Sequence, residues 1–66
     1  MVPLRSSNLA AAGHEGEVLE IEFHDGGLYR YFGVPDPVFR GLLAAPSAGR
    51  YFHRRIKGRY RFQRLR

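Results

Sequence analysis

Basic residues are concentrated toward the end of the chain, where they could bind phosphate groups. Residues 36–66 contain nine cations against Asp36 alone, a net charge of +8, whereas residues 1–35 carry two arginines against five acids, a net charge of −3. Arginine supplies ten of the eleven cations, and its planar guanidinium pairs with phosphate through two hydrogen bonds and stacks on bases. This distribution favours an anionic partner, although a genome of high GC content would also enrich arginine.

The predicted contact surface follows a helix and the strand after it. Arg50, Arg54 and Lys57 recur at i, i+4 and i+7 and therefore share one helix face, while Arg59 and Arg61 share the outer face of the next strand. The candidate nucleic-acid-binding residues are Arg50, Arg54, Arg55, Lys57, Arg59, Arg61 and, as a stacking partner, Tyr60. A solvated face that only keeps the protein soluble explains such a run of charges equally well.

Two further groups could contact nucleic acid, and each has a structural interpretation that we favour. Ser47 and Gly49 stand at a predicted helix start, where free amides can hold a phosphate, but Ser47 is more often a helix cap and Gly49 a packing notch. Tyr29 and Tyr31 lie one pleat apart on a predicted strand, the spacing of base-stacking platforms. A chain this short needs large rings in its core, so we expect both tyrosines to pack inward.

Catalysis has little support in the residue pattern. His14, His24 and His53 with Glu20 and Glu22 include the right chemical groups for acid–base or metal chemistry, but their spacing fits no zinc pattern. The serines lack the context of a nucleophile elbow. The sequence therefore predicts a protein that is not an enzyme and has no cofactor and no metal site.

Length and composition limit the fold to one small domain, residues 1–66. The chain has 66 residues, of which 44% are hydrophobic and 26% charged, an ordinary globular composition. A chain of this size forms one thin core and no deep pocket between layers. It contains no cysteine and no apolar run near the roughly 20 residues that span a bilayer, so we expect a soluble, cytoplasmic protein without a membrane partner.

Alternating residues predict an antiparallel hairpin in the first half of the chain. Residues 17–24 alternate apolar and charged side chains, the two-residue period of a half-buried strand, and residues 28–34 return after the turn formers at 25–27. Residues 8–12 form a weaker first strand. A three-residue loop predicts His24 opposite Leu28, Phe23 opposite Tyr29, Glu22 opposite Arg30 and Ile21 opposite Tyr31, with Leu19 on the same apolar face.

Two helices and a final extended segment complete the prediction. Asp36 caps a first helix with Pro37 at its first position, and this helix ends near Ala45. Its apolar residues face the sheet: Val38, Phe39, Leu42 and Leu43. Ser47 caps a second helix from Ala48 to about Lys57, with Phe52 and Ile56 inward and Gly58 as its C-terminal cap. Residues 59–64 form a last strand or extended arm. The fold class is α+β, an antiparallel meander of about three strands against two helices.

The chain resembles the KTSC domain family along nearly its whole length, from about Ser6 to Leu65. The residues that carry the resemblance are Leu19, Ile21, Phe23, Asp25-Gly26, Tyr29-Arg30-Tyr31, Val34-Pro35, Leu42, Ala45, Ser47, Gly49, Tyr51-Phe52, Ile56 and Tyr60. This family is named for its place at the C-terminus of some lysyl-tRNA synthetases and includes free-standing bacterial proteins. The resemblance implies no established activity and only a suggested role in RNA binding. Where the family often has asparagine after the Tyr-Phe pair, this chain has His53.

The sequence thus predicts a small basic accessory module that binds nucleic acid, with RNA favoured. The alternative is a protein-interaction module that docks on a nucleic-acid-handling machine such as a synthetase, a ribosome or an RNA polymerase. A homodimer formed through the free edge of the last strand is a third hypothesis.

Overall fold

The chain forms a five-stranded antiparallel sheet with two helices packed on one face. The computed structural model describes residues 1–66. In chain order the elements are β1 (Val2–Pro3), β2 (Leu9–Glu15), β3 (Val18–Phe23), β4 (Leu28–Phe32), α1 (Asp36–Ala44), α2 (Ala48–Arg55) and β5 (Phe62–Arg64), and the strands lie side by side in the order β1 to β5. The α+β class, the meander and the two helices are confirmed, but the sheet has five strands rather than about three.

The differences in strand number and length come from the edges of the sheet. β1 is two exposed residues paired with Ala11 and Ala12 of β2, too short to show a period in the sequence. β2 begins at Leu9 and continues to Glu15, three residues beyond its predicted end. β5 begins at Phe62 rather than at residue 59, because the Arg59 amide donates to the Ile56 carbonyl at 3.0 Å in the turn after α2.

The β3–β4 hairpin is shifted by two residues from the predicted register. Ile21 faces Tyr29, Leu19 faces Tyr31 and Glu20 faces Arg30. The loop closes one residue earlier on each side, since the Phe23 amide donates to the Gly27 carbonyl and the Asp25 carboxylate accepts from the Gly27 amide, both close to 2.9 Å. A shift of two leaves every side chain on its predicted face.

This shift changes the ion pairs on the face of the sheet that no helix covers. Arg30 lies 2.7 Å from the Glu20 carboxylate rather than beside Glu22, and Glu22 pairs instead with Arg66 at 2.9 Å. The helix-covered face holds the core, which comprises Leu9, Ala12, Leu19, Ile21, Tyr31, Val34, Leu42, Ala48, Phe52 and Ile56.

The first helix is capped differently from the prediction. Pro35 occupies the N-cap position and Asp36 is the first helical residue, with no side-chain cap. The Asp36 carboxylate instead pairs with Arg40 one turn later, at 2.6 Å. Leu42 is buried as predicted, whereas Leu43 is exposed because it lies about 100° further around the helix.

The second helix follows its prediction closely. The Ser47 hydroxyl accepts a hydrogen bond from the Arg50 amide at 3.2 Å, and Phe52 and Ile56 are buried. The helix ends at Arg55 rather than near Lys57, and Gly58 takes a φ of 76° in the turn that follows. Neither helix has the length and apolar surface needed to cross a membrane.

A glycine lets the two helices approach each other closely. The ring of Tyr51 on α2 lies over Gly41 of α1, and a Cβ added at Gly41 would lie 2.7 Å from the Tyr51 Cζ. Because real Cβ atoms do not approach another atom this closely, the helix pair is built around the missing side chain at this position.

Candidate nucleic-acid interface

The residues of α2 that pack against the sheet determine which of its other residues are exposed to solvent. Ala48, Phe52 and Ile56 recur every fourth residue and are buried against the sheet. Tyr51 packs against α1, and most of the remaining positions project outward. Four of the predicted binding residues are exposed there or just beyond the helix: Arg50, Arg54, Arg55 and Lys57. Arg59 follows in the turn, where its guanidinium Nε donates to the Arg54 carbonyl at 2.6 Å.

Most of these cations have no carboxylate partner. The ion pairs between arginine and carboxylate involve Arg30, Arg40 and Arg66. Seven cations after residue 49 make no ion pair: Arg50, Arg54, Arg55, Lys57, Arg59, Arg61 and Arg64. Their charge is consequently not neutralised within the molecule.

Two adjoining hollows collect the cations of α2. One is lined by Arg54, Arg55, Lys57 and Arg59, together with Tyr60, which also packs against the core. The other lies at the start of the helix, where Arg5 of the N-terminal segment joins Arg50 and Arg54. We call these two hollows and their cations the basic surface; Arg54 lines both of its parts.

Arg61 lies apart from the basic surface. Its guanidinium carbon stands 5.7 Å from the centre of the Phe32 ring. Phe32 alternates with buried Tyr31 along β4 and so belongs to the sheet face without helices. The predicted continuous band of cations thus extends from Arg50 to Arg59, with Arg61 on another side of the molecule.

Ser47 and Gly49 have structural roles at the start of α2. The Ser47 hydroxyl already accepts the Arg50 amide as the helix cap. A Cβ at Gly49 would lie 3.7 Å from the Ser6 hydroxyl, so the N-terminal segment passes close to this residue. Both residues line the Arg5 side of the basic surface.

Tyr31 belongs to the core, and Tyr29 borders it. Tyr31 is only 5% exposed, while Tyr29 is half-buried. Burial, with a smaller contribution from the Tyr29 phenol, raises the pKa of Tyr31 to about 12. The two rings stack at 6.4 Å between centroids, which leaves the Tyr31 ring without a free face for a base.

An aromatic cleft lies beside the basic surface, and residue patterns did not predict it. Its walls are the rings of Phe23, Tyr29, Tyr31, Phe52 and Phe62, and its volume is about 740 Å³. Phe62 of β5 is 57% exposed, although its ring lies 5.7–5.8 Å from those of Tyr29 and Tyr31. The signal for this cleft in the sequence is Phe62, an aromatic residue among arginines on the last predicted strand. In the structure this strand forms one edge of the sheet.

His24 and His53 both line the aromatic cleft, whereas His14 lies elsewhere. His14 Nε2 donates to the Val34 carbonyl at 2.7 Å and its ring stacks on Phe39, whereas His24 Nε2 donates to the Ser6 carbonyl at 2.9 Å. His53 is exposed on α2, where it lines the aromatic cleft and both hollows of the basic surface. No three histidine, aspartate or glutamate side chains come close enough to hold one metal ion.

Comparison with known proteins places this fold among related bacterial sequences. An uncharacterised protein of Stutzerimonas stutzeri is 45% identical over 97% of this chain and 94% of its own length. A lysine–tRNA ligase of Nostoc sp. is 45% identical over 74% of this chain, a region that is 9% of the ligase. The chain thus corresponds to a small part of that enzyme.

A solved structure shares the whole architecture. The crystal structure of a KTSC domain protein from Yersinia pestis superimposes with a TM-score of 0.92 and 33% sequence identity, covering 97% of this chain and 93% of the other. The family model described as the KTSC domain matches residues 5–60. The chain belongs to the KTSC domain family.

Proposed function

We propose that this KTSC domain is a nucleic-acid-binding accessory module that prefers RNA and binds it through the basic surface on α2. The observation that supports the proposal best is the set of cations that make no ion pair there, from Arg50 to Arg59. An arginine already held by a carboxylate must exchange one partner for another when it binds phosphate. These arginines have no such partner to lose.

The affinity of such a surface comes mainly from the release of counterions. Five cations are available to phosphates: Arg50, Arg54, Arg55, Lys57 and Arg59. If all five contact a single strand, the logarithm of the association constant falls with the logarithm of salt concentration with a slope of about −3.5. Tyr60 lies in the same hollow, where its ring can flank a sugar or a base.

RNA is favoured over DNA by the relatives. The region that matches this chain in Nostoc belongs to a lysine–tRNA ligase, whose name identifies an enzyme that acts on tRNA. An added domain that holds RNA would assist such an enzyme without taking part in its chemistry. We extend this role to the present chain by analogy.

The test is an NMR titration of the isotope-labelled protein with single-stranded RNA, duplex RNA and duplex DNA, each at low and moderate salt. We expect the largest amide shifts within residues 50–60, with stronger shifts for RNA than for DNA and a reduction by salt. The variant Arg54→Gln/Lys57→Gln should weaken binding and reduce the steepness of the salt slope by about 1.4. No amide shift with any nucleic acid at low salt would refute the proposal.

A matched variant separates the basic surface from net charge. Arg40→Gln/Ala44→Glu also lowers the net charge by two units, but at exposed positions of α1. It should keep most of the affinity. Equal losses in the two variants would mean that the protein attracts nucleic acid by its total charge alone.

A second candidate function is docking on a larger machine of translation. The observation that favours it is the occurrence of the matching region within a lysine–tRNA ligase. In that case a discrete protein partner would be recovered with the chain after nuclease treatment. Loss of the partner on nuclease treatment would favour RNA as the bridge.

A further inference from the structure

In the aromatic cleft the Phe62 ring is accessible to solvent, and its neighbouring rings fix its orientation. One side of the Phe62 ring packs near Tyr29 and Tyr31, with interplanar angles of 41° and 37°, while more than half of the residue remains exposed. Phe52, buried on α2, forms part of the opposite wall. A flat ligand that enters beside Phe62 would therefore meet an aromatic surface without a large rearrangement of the side chains.

Two cations, Lys57 and Arg64, flank this apolar interior. Lys57, in the turn after α2, lines the cleft beside His53, and the guanidinium of Arg64 on β5 lies 5.5 Å from the centre of the Tyr29 ring. Asp25 is the one carboxylate among the lining residues, and it already accepts the Gly27 amide. The cleft and its rim together suit a ligand whose central part is an aromatic ring and whose two ends carry negative charge.

The cleft is continuous with the basic surface. His53, Lys57 and Gly58 line both the cleft and the larger hollow of the basic surface. A strand of nucleic acid with phosphates on Arg54 and Lys57 therefore passes the mouth of the cleft. In single strands each base is available for stacking on an aromatic side chain, and the phosphates on either side of it need cations.

We propose that the aromatic cleft binds one unpaired base of a single-stranded RNA, stacked on Phe62 with the flanking phosphates near Lys57 and Arg64. This inference rests on the proposed RNA-binding function and adds a site for a base to it. A base paired in a duplex cannot enter, so the cleft selects single strands or extruded bases. An acidic peptide with an apolar side chain is the competing occupant.

The test compares a short oligouridylate with a ribose-phosphate oligomer of the same length that lacks bases. Both carry the same phosphates, so the cations of the basic surface alone would bind them equally. Isothermal titration gives the two affinities, and carbon-detected NMR of the aromatic side chains reports on Phe62 and Tyr29. We expect the oligouridylate to bind about 5- to 150-fold more tightly, with ring signals of Phe62 that shift only when bases are present.

Two substitutions at one exposed position keep the test independent of folding. Phe62→Leu keeps an apolar side chain and should abolish the difference between the two oligomers while leaving affinity for the abasic oligomer unchanged. Phe62→Tyr keeps a ring and should preserve the difference. Equal binding of both oligomers by the unmodified protein would overturn the base site but leave the proposed function standing.

Three other results would overturn the proposed function or the base site. If neither oligomer binds, the proposed function fails, and the base site fails with it. If Phe62→Leu still prefers the oligouridylate, the base binds outside the cleft. Ring shifts of Phe62 with an acidic peptide and none with RNA would assign the cleft to a protein partner and overturn the inference.

Discussion

The contact between Gly41 and Tyr51 predicts that Gly41→Ala lowers the free energy of unfolding when Tyr51 is present and raises it when the Tyr51 ring is removed. Replacing a glycine inside a helix by alanine ordinarily stabilises it by about 1 kcal/mol. At Gly41 the new Cβ would lie 2.7 Å from the Tyr51 Cζ and 2.9 Å from Cε2, and overpacking of this kind costs about 1–3 kcal/mol. We therefore expect Gly41→Ala to lower the free energy of unfolding by about 1 kcal/mol, a fall in Tm of about 4–8 °C.

The same substitution should become stabilising once the ring is removed. In a Tyr51→Ala background, Gly41→Ala should raise the free energy of unfolding by about 1 kcal/mol, so that the coupling between the two positions is about 2 kcal/mol. Urea unfolding followed by circular dichroism measures all four proteins of the cycle. Gly49→Ala is the control, since a Cβ there would meet only the Ser6 hydroxyl at 3.7 Å and should not destabilise. A stabilising effect of Gly41→Ala with Tyr51 present would refute the steric argument.

Two further predictions concern the helix cap and the buried phenol. Ser47→Ala should lower the free energy of unfolding by about 1 kcal/mol because the Arg50 amide loses its acceptor, and an unchanged urea midpoint would contradict this. The pKa of Tyr31, raised to about 12 by burial, makes its neutral form the one favoured by folding. The resulting stability is complete below pH 10 and is lost as pH rises toward 12. Tyrosinate absorbance should show a late step that is missing in Tyr31→Phe, and the absence of that late step from the unmodified protein would count against burial as the cause.

Patterns of two and of 3.6 residues predicted the interior of the fold well. Leu19, Ile21 and Tyr31 were assigned to the buried face of the hairpin, and Phe52 and Ile56 to the inner face of α2, and all five are buried. The two-residue period of the hairpin survives a register shift of two residues, which is the shift observed. The assignment succeeded because burial depends on which face a side chain occupies and not on its partner.

Features that depend on loop geometry or on tertiary contacts were not predictable in this way. The loop at Asp25 allowed two registers that differ by two residues, and the periodic pattern is the same in both. Asp36 was expected to cap α1, but its carboxylate pairs with Arg40 instead. For the candidate site, the sequence predicts the inner face of α2 correctly, whereas the separation of Arg61 from the other cations depends on its tertiary contact with the Phe32 ring.

β5 comes last in the chain and carries Phe62, so local opening of this strand also changes the aromatic cleft. Residues 33–61, which include both helices, separate β4 from β5. The contacts that hold this last strand in place include the hydrogen bond from the Leu65 amide to the Leu28 carbonyl at 2.7 Å and the Arg66–Glu22 ion pair. Edge segments of this kind open locally more often than the central strands do. Since Phe62 forms one wall of the cleft, we expect amides of β5 to exchange with solvent first and an occupant of the cleft to slow that exchange. Ligand binding in the cleft and local opening of β5 would then be coupled, and hydrogen exchange of the β5 amides would report on both.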